Sequence, residues 1–182
     1  MNRTEKLLAA FSASTKMHGG IHSIAELAYL INTAVTPSFR KLLIDCVRKG
    51  VLRRVANGLY ESTITPPTPS TALFKTASKL REGYLNYVSL ESQLSHSGHI
   101  SQIPMDRLTI MTKGRAGTFE THYGTIEFTH SKKSQQKLSD HLYFDHEIKM
   151  FRATIEQAMA DLKNCQRNLH MLESVNKDNS NA

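Results

Sequence analysis

The residue types with the clearest chemical potential in this sequence are the basic and hydroxyl side chains between positions 36 and 54. Guanidinium and ammonium groups bind phosphate oxygens and donate hydrogen bonds to base edges, and hydroxyl groups also bond to either. Such side chains on an exposed helix and a neighbouring hairpin are typical of a surface that binds nucleic acid. The candidate DNA contacts are Thr36, Ser38, Arg40, Lys41, Arg48, Arg53 and Arg54.

The helix that would present most of these residues is predicted from its start signal and its apolar spacing. Thr36 followed by Pro37 is a typical helix start, because threonine caps the first turn and proline suits the first helical position. The apolar residues recur at i, i+3, i+4, i+7 and i+8, which leaves the basic residues on other faces. These apolar residues are Phe39, Leu42, Leu43, Cys46 and Val47. Since cations opposite an apolar face are common on ordinary soluble helices, this feature alone does not establish DNA binding.

Two earlier helices are expected to pack against this third one. Leu7, Leu8 and Phe11 have helical spacing and predict a first helix over residues 4–12. Ser23 and Glu26 form a capping-box pattern, which predicts a second helix to about residue 31. A short turn then separates the second helix from the third.

A β-hairpin is expected directly after the third helix. Two strand-like segments, residues 51–55 and 59–62, flank the dipeptide at 57–58, and Asn-Gly between such segments is a strong hairpin signal. Arg53 and Arg54 lie just before this turn. Three helices followed by a hairpin predict a winged helix-turn-helix, whose third helix enters the major groove while the hairpin contacts the neighbouring backbone or minor groove.

The net charge is divided unevenly along the chain. Residues 1–60 contain nine Lys/Arg and three Asp/Glu, a net charge of +6, whereas residues 61–182 contain fourteen and thirteen, a net charge of +1. This division favours a polyanion-binding module followed by an electrically balanced domain. The basic residues are spread over several short elements, which disfavours a membrane-surface helix, because such a helix is one long amphipathic stretch.

Proline content indicates the domain boundary, since three of the five prolines lie within residues 63–70. We therefore predict a winged-helix domain at 1–63, a linker at 64–70, a C-terminal domain at 71–175 and a flexible tail at 176–182. The expected fold class is α+β: an N-terminal winged helix-turn-helix followed by a mixed α/β domain with a short antiparallel sheet and a long C-terminal helix. The elements predicted in the second domain are helices at 72–81, 89–97 and 155–175 and strands at 84–88, 107–112, 119–122, 125–129 and 144–152.

The spacing of the polar residues disfavours catalysis and metal binding. Nine histidines occur, but none has the HExxH or HxH spacing that places two on one metal. Residues 114–117 are glycine-rich and cationic, yet they join strand to strand, whereas a phosphate cradle needs a following helix N-terminus. No Ser/His/Asp or paired-carboxylate arrangement stands out. We therefore expect no enzyme activity, no catalytic residue, no metal and no cofactor.

Composition indicates a cytoplasmic protein without membrane contact. An apolar fraction of 40% supports a packed core. No run reaches the roughly 18 apolar residues of a membrane-spanning helix, and the N-terminus lacks the pattern of a signal peptide. Cys46 and Cys165 lie far apart in helix-patterned segments, which favours two reduced core thiols.

Four segments of the second half resemble AbiEi-family antitoxins of bacterial abortive-infection and toxin–antitoxin systems. They are YVSLES (87–92), TKGRAG (112–117), GTIEF (124–128) and ATIEQAMAD (153–161). The last departs from the family pattern at Ile155, where proline is usual, and at Gln157, where lysine is usual. With the predicted winged helix included, the resemblance covers about residues 4–175.

The resemblance implies two roles for the chain. Members of this family repress their own operon by binding inverted repeats through the winged helix, and they counteract a nucleotidyltransferase-like toxin through the C-terminal domain. The candidate partner contacts in that domain are the charged residues off its apolar stripe and in the glycine-rich turn, namely Lys113, Arg115, Lys163 and Arg167. The alternative is a winged-helix regulator or a protein-interaction module without antitoxin activity, and RNA binding is a third hypothesis.

Overall fold

The computed structural model describes residues 2–17, 20–100 and 106–167. Within these ranges the chain is a mixed α+β protein, as the sequence predicts, and it divides into two compact units. The first unit comprises Met1–Leu80 together with Thr121–Tyr123, and the second comprises Arg81–Glu120 with Gly124–Ala182.

The first unit begins with three helices whose starts are fixed by side-chain caps. Asn2 and Glu5 form a reciprocal capping box on the first helix, and Ser23 and Glu26 form another on the second. Thr36 caps the third helix by accepting a hydrogen bond from the backbone N–H of Phe39 at 3.2 Å. These helices are α1 (Arg3–Lys16), α2 (Ile24–Leu30) and α3 (Pro37–Arg48).

A three-stranded antiparallel sheet completes the fold of this unit. Its strands are β1 (Ile21–Ser23), β2 (Leu52–Ala56) and β3 (Leu59–Ser62), in the order β1-β3-β2. Gly58 adopts φ +75° in the β2–β3 turn, a conformation that glycine reaches without strain. The hairpin therefore forms where the Asn-Gly signal predicts it, whereas strand β1 was not predicted.

Helix α4 (Pro69–Leu80) belongs to the first unit, which differs from the predicted boundary at 64–70. Its residue Ala72 is buried in one cluster with Ile21, Val55 and Leu59 of the three-stranded sheet. The remaining core of the unit joins the three N-terminal helices to the sheet. Its fully buried members include Leu7, Phe11, Leu27, Phe39, Leu43, Cys46 and Leu52.

The proline-rich segment that precedes α4 contacts the rest of the first unit at Ile64, Thr65 and Pro67. The hydroxyl of Thr15 donates to the carbonyl oxygen of Thr65 at 3.0 Å, and the Ser62 hydroxyl accepts from the N–H of Ile64 at 3.1 Å. Pro67 is buried beside Gly20. Since its backbone is held by these hydrogen bonds, the segment is a packed connection and differs from the solvated linker predicted from its composition.

The second unit contains a six-stranded mixed sheet in the order β6-β7-β5-β4-β9-β8. Strand β5 is parallel to β7 and antiparallel to β4, and β4 is parallel to β9. The predicted short antiparallel sheet is therefore larger and mixed. Its strands are β4 (Asn86–Val88), β5 (Arg107–Thr112), β6 (Gly117–Thr121), β7 (Gly124–His130), β8 (Leu142–Asp145) and β9 (Met150–Ala153).

The predicted single strand at 144–152 is an antiparallel pair in the structure. Strands β8 and β9 are connected by a turn that contains Lys149 at φ +54°. Arg152 is almost fully buried, and its Nε donates to the Asp145 carboxylate at 2.6 Å. The turn itself is stabilised by the Asp145 carboxylate, which also accepts from the N–H groups of Glu147 and Ile148.

Helices pack against the mixed sheet and complete the core of the second unit. They are α5 (Leu90–His96), α6 (Gln135–Leu138) and α7 (Ile155–Asn164). Helix α7 packs on α5, and Ala158 and Leu162 are buried together with Tyr87 and Leu94. The helix was predicted to run to residue 175, but it ends at Asn164, and Gln166 adopts φ +52°, which does not continue a helix. The part of the prediction beyond residue 167 lies outside the described residues. None of the helices in the described ranges has the length and apolar character needed to cross a membrane.

Candidate nucleic-acid interface

Helix α3 separates its apolar and polar residues onto different faces. Phe39, Leu43 and Cys46 are buried in the core of the first unit. The Thr36 hydroxyl that caps the helix also lies 2.9 Å from the Ser38 hydroxyl, so both groups are held at the helix N-terminus. The cap therefore determines the residue at which α3 begins and holds two hydroxyl groups at that end of the helix.

The exposed face of α3 carries the predicted cationic residues. Ser38, Arg40, Lys41 and Arg48 are all exposed. Ile44 is 54% exposed, although it is apolar. Because residues four apart lie above one another on a helix, Ile44 falls between the basic residues at 40 and 48. Sequence reasoning missed Ile44, and its four-residue spacing from these two cations was the signal that could have found it.

The cations of α3 have few internal partners in the described part of the chain. The Arg48 guanidinium lies 3.4 Å from the carboxylate of Asp45, and the Arg48 side chain is 77% exposed. An ion pair this exposed contributes little to stability and is easily exchanged for another anion. The face can therefore present positive charge to a ligand.

The two arginines of the β2–β3 hairpin are held differently. Arg54 donates from Nη2 to the side-chain oxygen of Asn57 at 2.6 Å and from Nε to the Ala56 carbonyl oxygen at 3.3 Å. Arg53 is paired across the strands with Glu61, and its Nη1 lies 3.4 Å from Glu61 Oε1. Both arginines are exposed. The hairpin therefore presents two exposed cations, of which Arg54 is held by hydrogen bonds near the turn.

Glu61 has no exposed surface, which is unusual for a carboxylate. Besides lying near Arg53, the Glu61 carboxylate accepts a hydrogen bond from the Tyr123 hydroxyl at 2.6 Å. His122 Nε2 lies 3.0 Å from its Oε1. Burial and the adjacent Glu61 raise the pKa of Tyr123, so this phenol stays protonated and donates. Neither Glu61 nor Tyr123 was singled out from the sequence, because their contact joins residues far apart in the chain.

A second internal ion pair connects α2 with α4 in the first unit. The ammonium group of Lys79 bonds to the Glu26 carboxylate. Although burial opposes ionisation of Glu26, its hydrogen bonds from Lys79 and Ser23 lower the pKa below the usual value. Burial lowers the pKa of the adjacent His22. The pair stabilises the unit and contributes nothing to the exposed face of α3.

The division into units sharpens the charge asymmetry. The first unit contains eleven Lys/Arg and four Asp/Glu, a net charge of +7, and the second contains twelve of each. The whole formal charge of the chain therefore belongs to the unit that carries α3 and the β2–β3 hairpin. A surface of this kind attracts polyanions over several ångströms.

The four candidate partner contacts of the second unit fall into two pairs. Lys113 donates from Nζ to the carbonyl oxygens of Ser131 at 2.7 Å and Lys133 at 3.0 Å. Arg167 bonds to the carboxylates of Glu91 and Glu127. These two cations hold backbone and side chains within the unit. The other two, Arg115 and Lys163, are exposed.

A buried polar cluster joins two of the segments that carry the antitoxin resemblance. Asp161 of α7 is 2% exposed and accepts from the Ser89 hydroxyl at 2.8 Å and the Tyr87 hydroxyl at 3.2 Å. Gln157 donates to the other oxygen of Asp161 at 2.6 Å. The hydrogen bonds do not fully offset desolvation, so burial raises the pKa of Asp161. The spacing of these segments therefore reflects one packed polar core.

Two histidines of the second half contact different groups. His122 lies beside Glu61, whereas Nδ1 of His130 donates to the Gly114 carbonyl oxygen at 2.8 Å. Across residues 2–17, 20–100 and 106–167, no three His, Cys, Asp or Glu side chains are placed to hold one metal ion.

No family model matches the chain, and no curated protein matches it significantly.

Proposed function

We propose that the first unit is a winged helix-turn-helix that binds duplex DNA, and that the chain represses its own operon as an AbiEi-type antitoxin. The observation that carries the DNA-binding part is the exposed basic face of α3, opposite a buried apolar face, in a unit of net charge +7. The order of three helices and a β-hairpin supports the same assignment.

In the proposed complex the first half of α3 lies in the major groove. Arg40 and Lys41 then reach base edges and phosphates, as guanidinium and ammonium groups do in other helix-turn-helix proteins. Ile44 supplies an apolar contact to a thymine methyl group. This contact accounts for an exposed isoleucine on a basic face. Thr36 and Ser38 at the helix N-terminus bind a phosphate.

The β2–β3 hairpin acts as the wing. Arg54 contacts the phosphate backbone beside the groove, because its bonds to Asn57 and the Ala56 carbonyl hold the guanidinium near the hairpin tip. Arg53 lies on the same strand, and its guanidinium is 3.4 Å from the buried carboxylate of Glu61. Contacts of this type position the protein and carry little sequence information.

The experiment is an electrophoretic mobility shift with the full chain and duplex DNA from the region upstream of its gene. We expect a discrete complex that Lys41→Ala and Arg54→Ala both weaken. The matched control is Lys137→Ala, which removes the same charge from an exposed position of the second unit. If Lys41→Ala and Arg54→Ala bind as the wild type does, the proposed surface is wrong.

The antitoxin part of the proposal depends on the resemblance of the four segments of the second unit. Two of them meet at the buried Asp161 cluster, so these two segments pack together in this chain, as the joint resemblance of both segments would require. At the position where lysine is usual, Gln157 bonds to Asp161 and accepts from Lys133 Nζ at 2.9 Å. The partner is a nucleotidyltransferase-like toxin, and exposed Arg115 and Lys163 are the proposed contacts.

A growth assay separates protection from repression. The full chain is expressed from an independent promoter together with a nucleotidyltransferase-like toxin encoded beside its gene. We expect the chain to relieve growth arrest, and we expect the Arg40→Ala/Lys41→Ala variant to relieve it equally, since protection then depends on the second unit. Rescue that is lost only with Arg115→Ala/Lys163→Ala supports direct contact. If neither the wild type nor any variant relieves arrest, the antitoxin role is wrong.

A second candidate function is protein binding through the same helices without DNA. The observation that favours it is the exposure of apolar side chains on and near α2 and α3: Tyr29 is 85% exposed, Ile44 54% and Val35 41%. Exposed apolar patches often mark protein contacts. The mobility shift separates the two functions, because a protein-binding module gives no discrete DNA complex. The same assay with RNA in place of DNA tests the hypothesis of RNA binding.

A further inference from the structure

The second unit contains a surface cavity of about 330 Å³, lined by both polar and apolar side chains, that the proposed function does not use. This volume is at the lower end of the range for small-molecule sites, which is roughly 300–1,000 Å³. The lining residues that matter for its chemistry are His130, Lys132, Lys133, Asp161, Asn164 and Cys165.

The position of the cavity in the sheet is one where ligands commonly bind. Strands β5 and β7 are parallel neighbours, and the cavity lies where both end, with Met111 on one strand and His130 on the other. In open α/β sheets, small ligands bind in crevices outside the carboxyl ends of parallel strands, and the parallel β5–β7 pair of this mixed sheet has such an edge. The last turn of α7 forms the opposite wall through Asn164 and Cys165.

Three basic side chains follow one another on the β7 side of the cavity. His130 is fixed by its contact with the Gly114 carbonyl oxygen, and because that oxygen only accepts, Nδ1 carries the proton. Lys133 is half-buried, and its Nζ donates to Gln157 Oε1 at 2.9 Å, which leaves the other N–H donors of the ammonium group for a ligand. Lys132 is exposed. Lys113 binds the carbonyl oxygens of Ser131 and Lys133, so it holds the backbone that bears these side chains in place.

The α7 side of the cavity contributes one carboxylate, whose oxygens already accept hydrogen bonds from neighbouring side chains. Asp161 accepts from Ser89, Tyr87 and Gln157, and a carboxylate with three donors competes weakly for further cations. Asn164 offers both an amide donor and a carbonyl acceptor. Burial raises the pKa of the Cys165 thiol, which keeps it protonated and a poor nucleophile. The cavity is therefore suited to binding an anion and not to covalent chemistry.

We propose that this cavity binds a small phosphorylated metabolite, whose phosphate group lies against Lys132 and Lys133 and whose polar remainder bonds to Asn164. Ammonium groups act as point charges for phosphate, and neighbouring lysines on one loop suit a doubly charged group. The cavity volume is large enough for a sugar phosphate or a mononucleotide.

The test is isothermal titration of the full chain with three probes: inorganic phosphate, ribose 5-phosphate and AMP. We expect at least one organic phosphate to bind more tightly than inorganic phosphate, since only it reaches Asn164. Lys132→Ala should weaken that binding about tenfold or more, the usual effect of losing one charge-assisted hydrogen bond. Lys132→Arg should restore most of it.

The matched control is Lys137→Ala, which removes an exposed lysine of the same segment that does not line the cavity. It should bind the probe as the wild type does. The proposal is overturned if none of the three probes binds at millimolar concentration. It is also overturned if Lys132→Ala binds as tightly as the wild type, or if Lys137→Ala weakens binding equally. Since Lys132 is exposed, its substitution leaves the fold intact, and thermal unfolding of each variant verifies this.

Discussion

The guanidinium of Arg53 lies 3.4 Å from the carboxylate of Glu61, its partner across the β2–β3 hairpin, and that carboxylate is fully buried. The same carboxylate accepts a 2.6 Å hydrogen bond from Tyr123. One buried anion thus lies beside an exposed cation of the proposed DNA surface. Glu61 therefore connects the β2–β3 hairpin to Tyr123 within the first unit.

Glu61→Gln should preserve the shape of this site and remove its charge. We expect the free energy of unfolding to fall by about 1–3 kcal/mol, because a buried charge-assisted hydrogen bond from Tyr123 becomes a neutral one. Chemical denaturation measures the change. The matched control is Glu120→Gln, which alters an exposed carboxylate and should change stability by less than about 0.5 kcal/mol. Equal stability of both variants would contradict the structural role of Glu61.

Ile44→Ala should reduce sequence preference without changing the electrostatics of DNA binding. A lost base contact typically costs about 1–3 kcal/mol on the preferred sequence. Because isoleucine is uncharged, the dependence of the binding constant on salt should stay the same. Competition between operator and unrelated duplexes measures the preference. Ile64→Ala, at a 65% exposed position of the same unit, is the control that should leave it unaltered.

Gly124→Ala should destabilise the second unit strongly. Gly124 adopts φ +133°, and a Cβ at this position would clash with the backbone oxygen of Asp106, which accepts a 2.6 Å hydrogen bond from the Thr125 N–H. Strained backbone and a steric clash each cost on the order of 1–3 kcal/mol. Gly83 also has a positive φ, but no atom lies within 4 Å of a Cβ built there. Gly83→Ala therefore introduces backbone strain without a steric clash. Similar melting temperatures for the two variants would be evidence against this packing.

The Glu127–Arg167 ion pair should make stability depend on acidic pH. The hydrogen bond from Arg167 is the main reason that the pKa of Glu127 lies below its usual value. A carboxyl group with a depressed folded-state pKa stabilises the protein above its unfolded-state pKa, and this stabilisation is lost as pH falls through the folded-state value. Unfolding free energies should therefore decrease below about pH 4.5, near the unfolded-state pKa of glutamate. Glu127→Gln should show a shallower decrease, and an unchanged pH profile would contradict the pairing.

Local signals in the sequence predicted the elements of the first unit well. The Thr36-Pro37 start, the Ser23/Glu26 capping box and the Asn-Gly turn each act within a few residues, and α3, α2 and the β2–β3 hairpin begin or turn where these signals lie. Strand β1 was missed because its three residues are too few to show the alternation of apolar and polar residues that indicates a strand. Its pairing with β3 depends on a partner nearly forty positions away.

The domain boundary and the ion pairs could not be predicted for a related reason. Proline content at 64–70 indicated a solvated linker. In the structure Thr15 donates to the Thr65 carbonyl oxygen, Ser62 accepts from the Ile64 N–H, and Ala72 lies in an apolar cluster of the first unit. Lys113 and Arg167 looked like surface cations in the sequence. Their partners lie 18 to 76 positions away, so only the fold shows that both are internally bonded.

The central claim is that α3 binds DNA through its basic face, and the salt dependence of binding tests it most directly. Fluorescence anisotropy with the full chain and operator duplex gives the slope of log K against log salt for the wild type and for Arg40→Ala/Lys41→Ala. Each phosphate contact contributes about 0.9 to this slope, so the double variant should bind more weakly with a slope smaller by about 1–2. The charge-matched variant Lys137→Ala/Lys163→Ala should keep the wild-type affinity and slope. If instead the two double variants have the same slope and affinity as the wild type, α3 is not the DNA-binding surface.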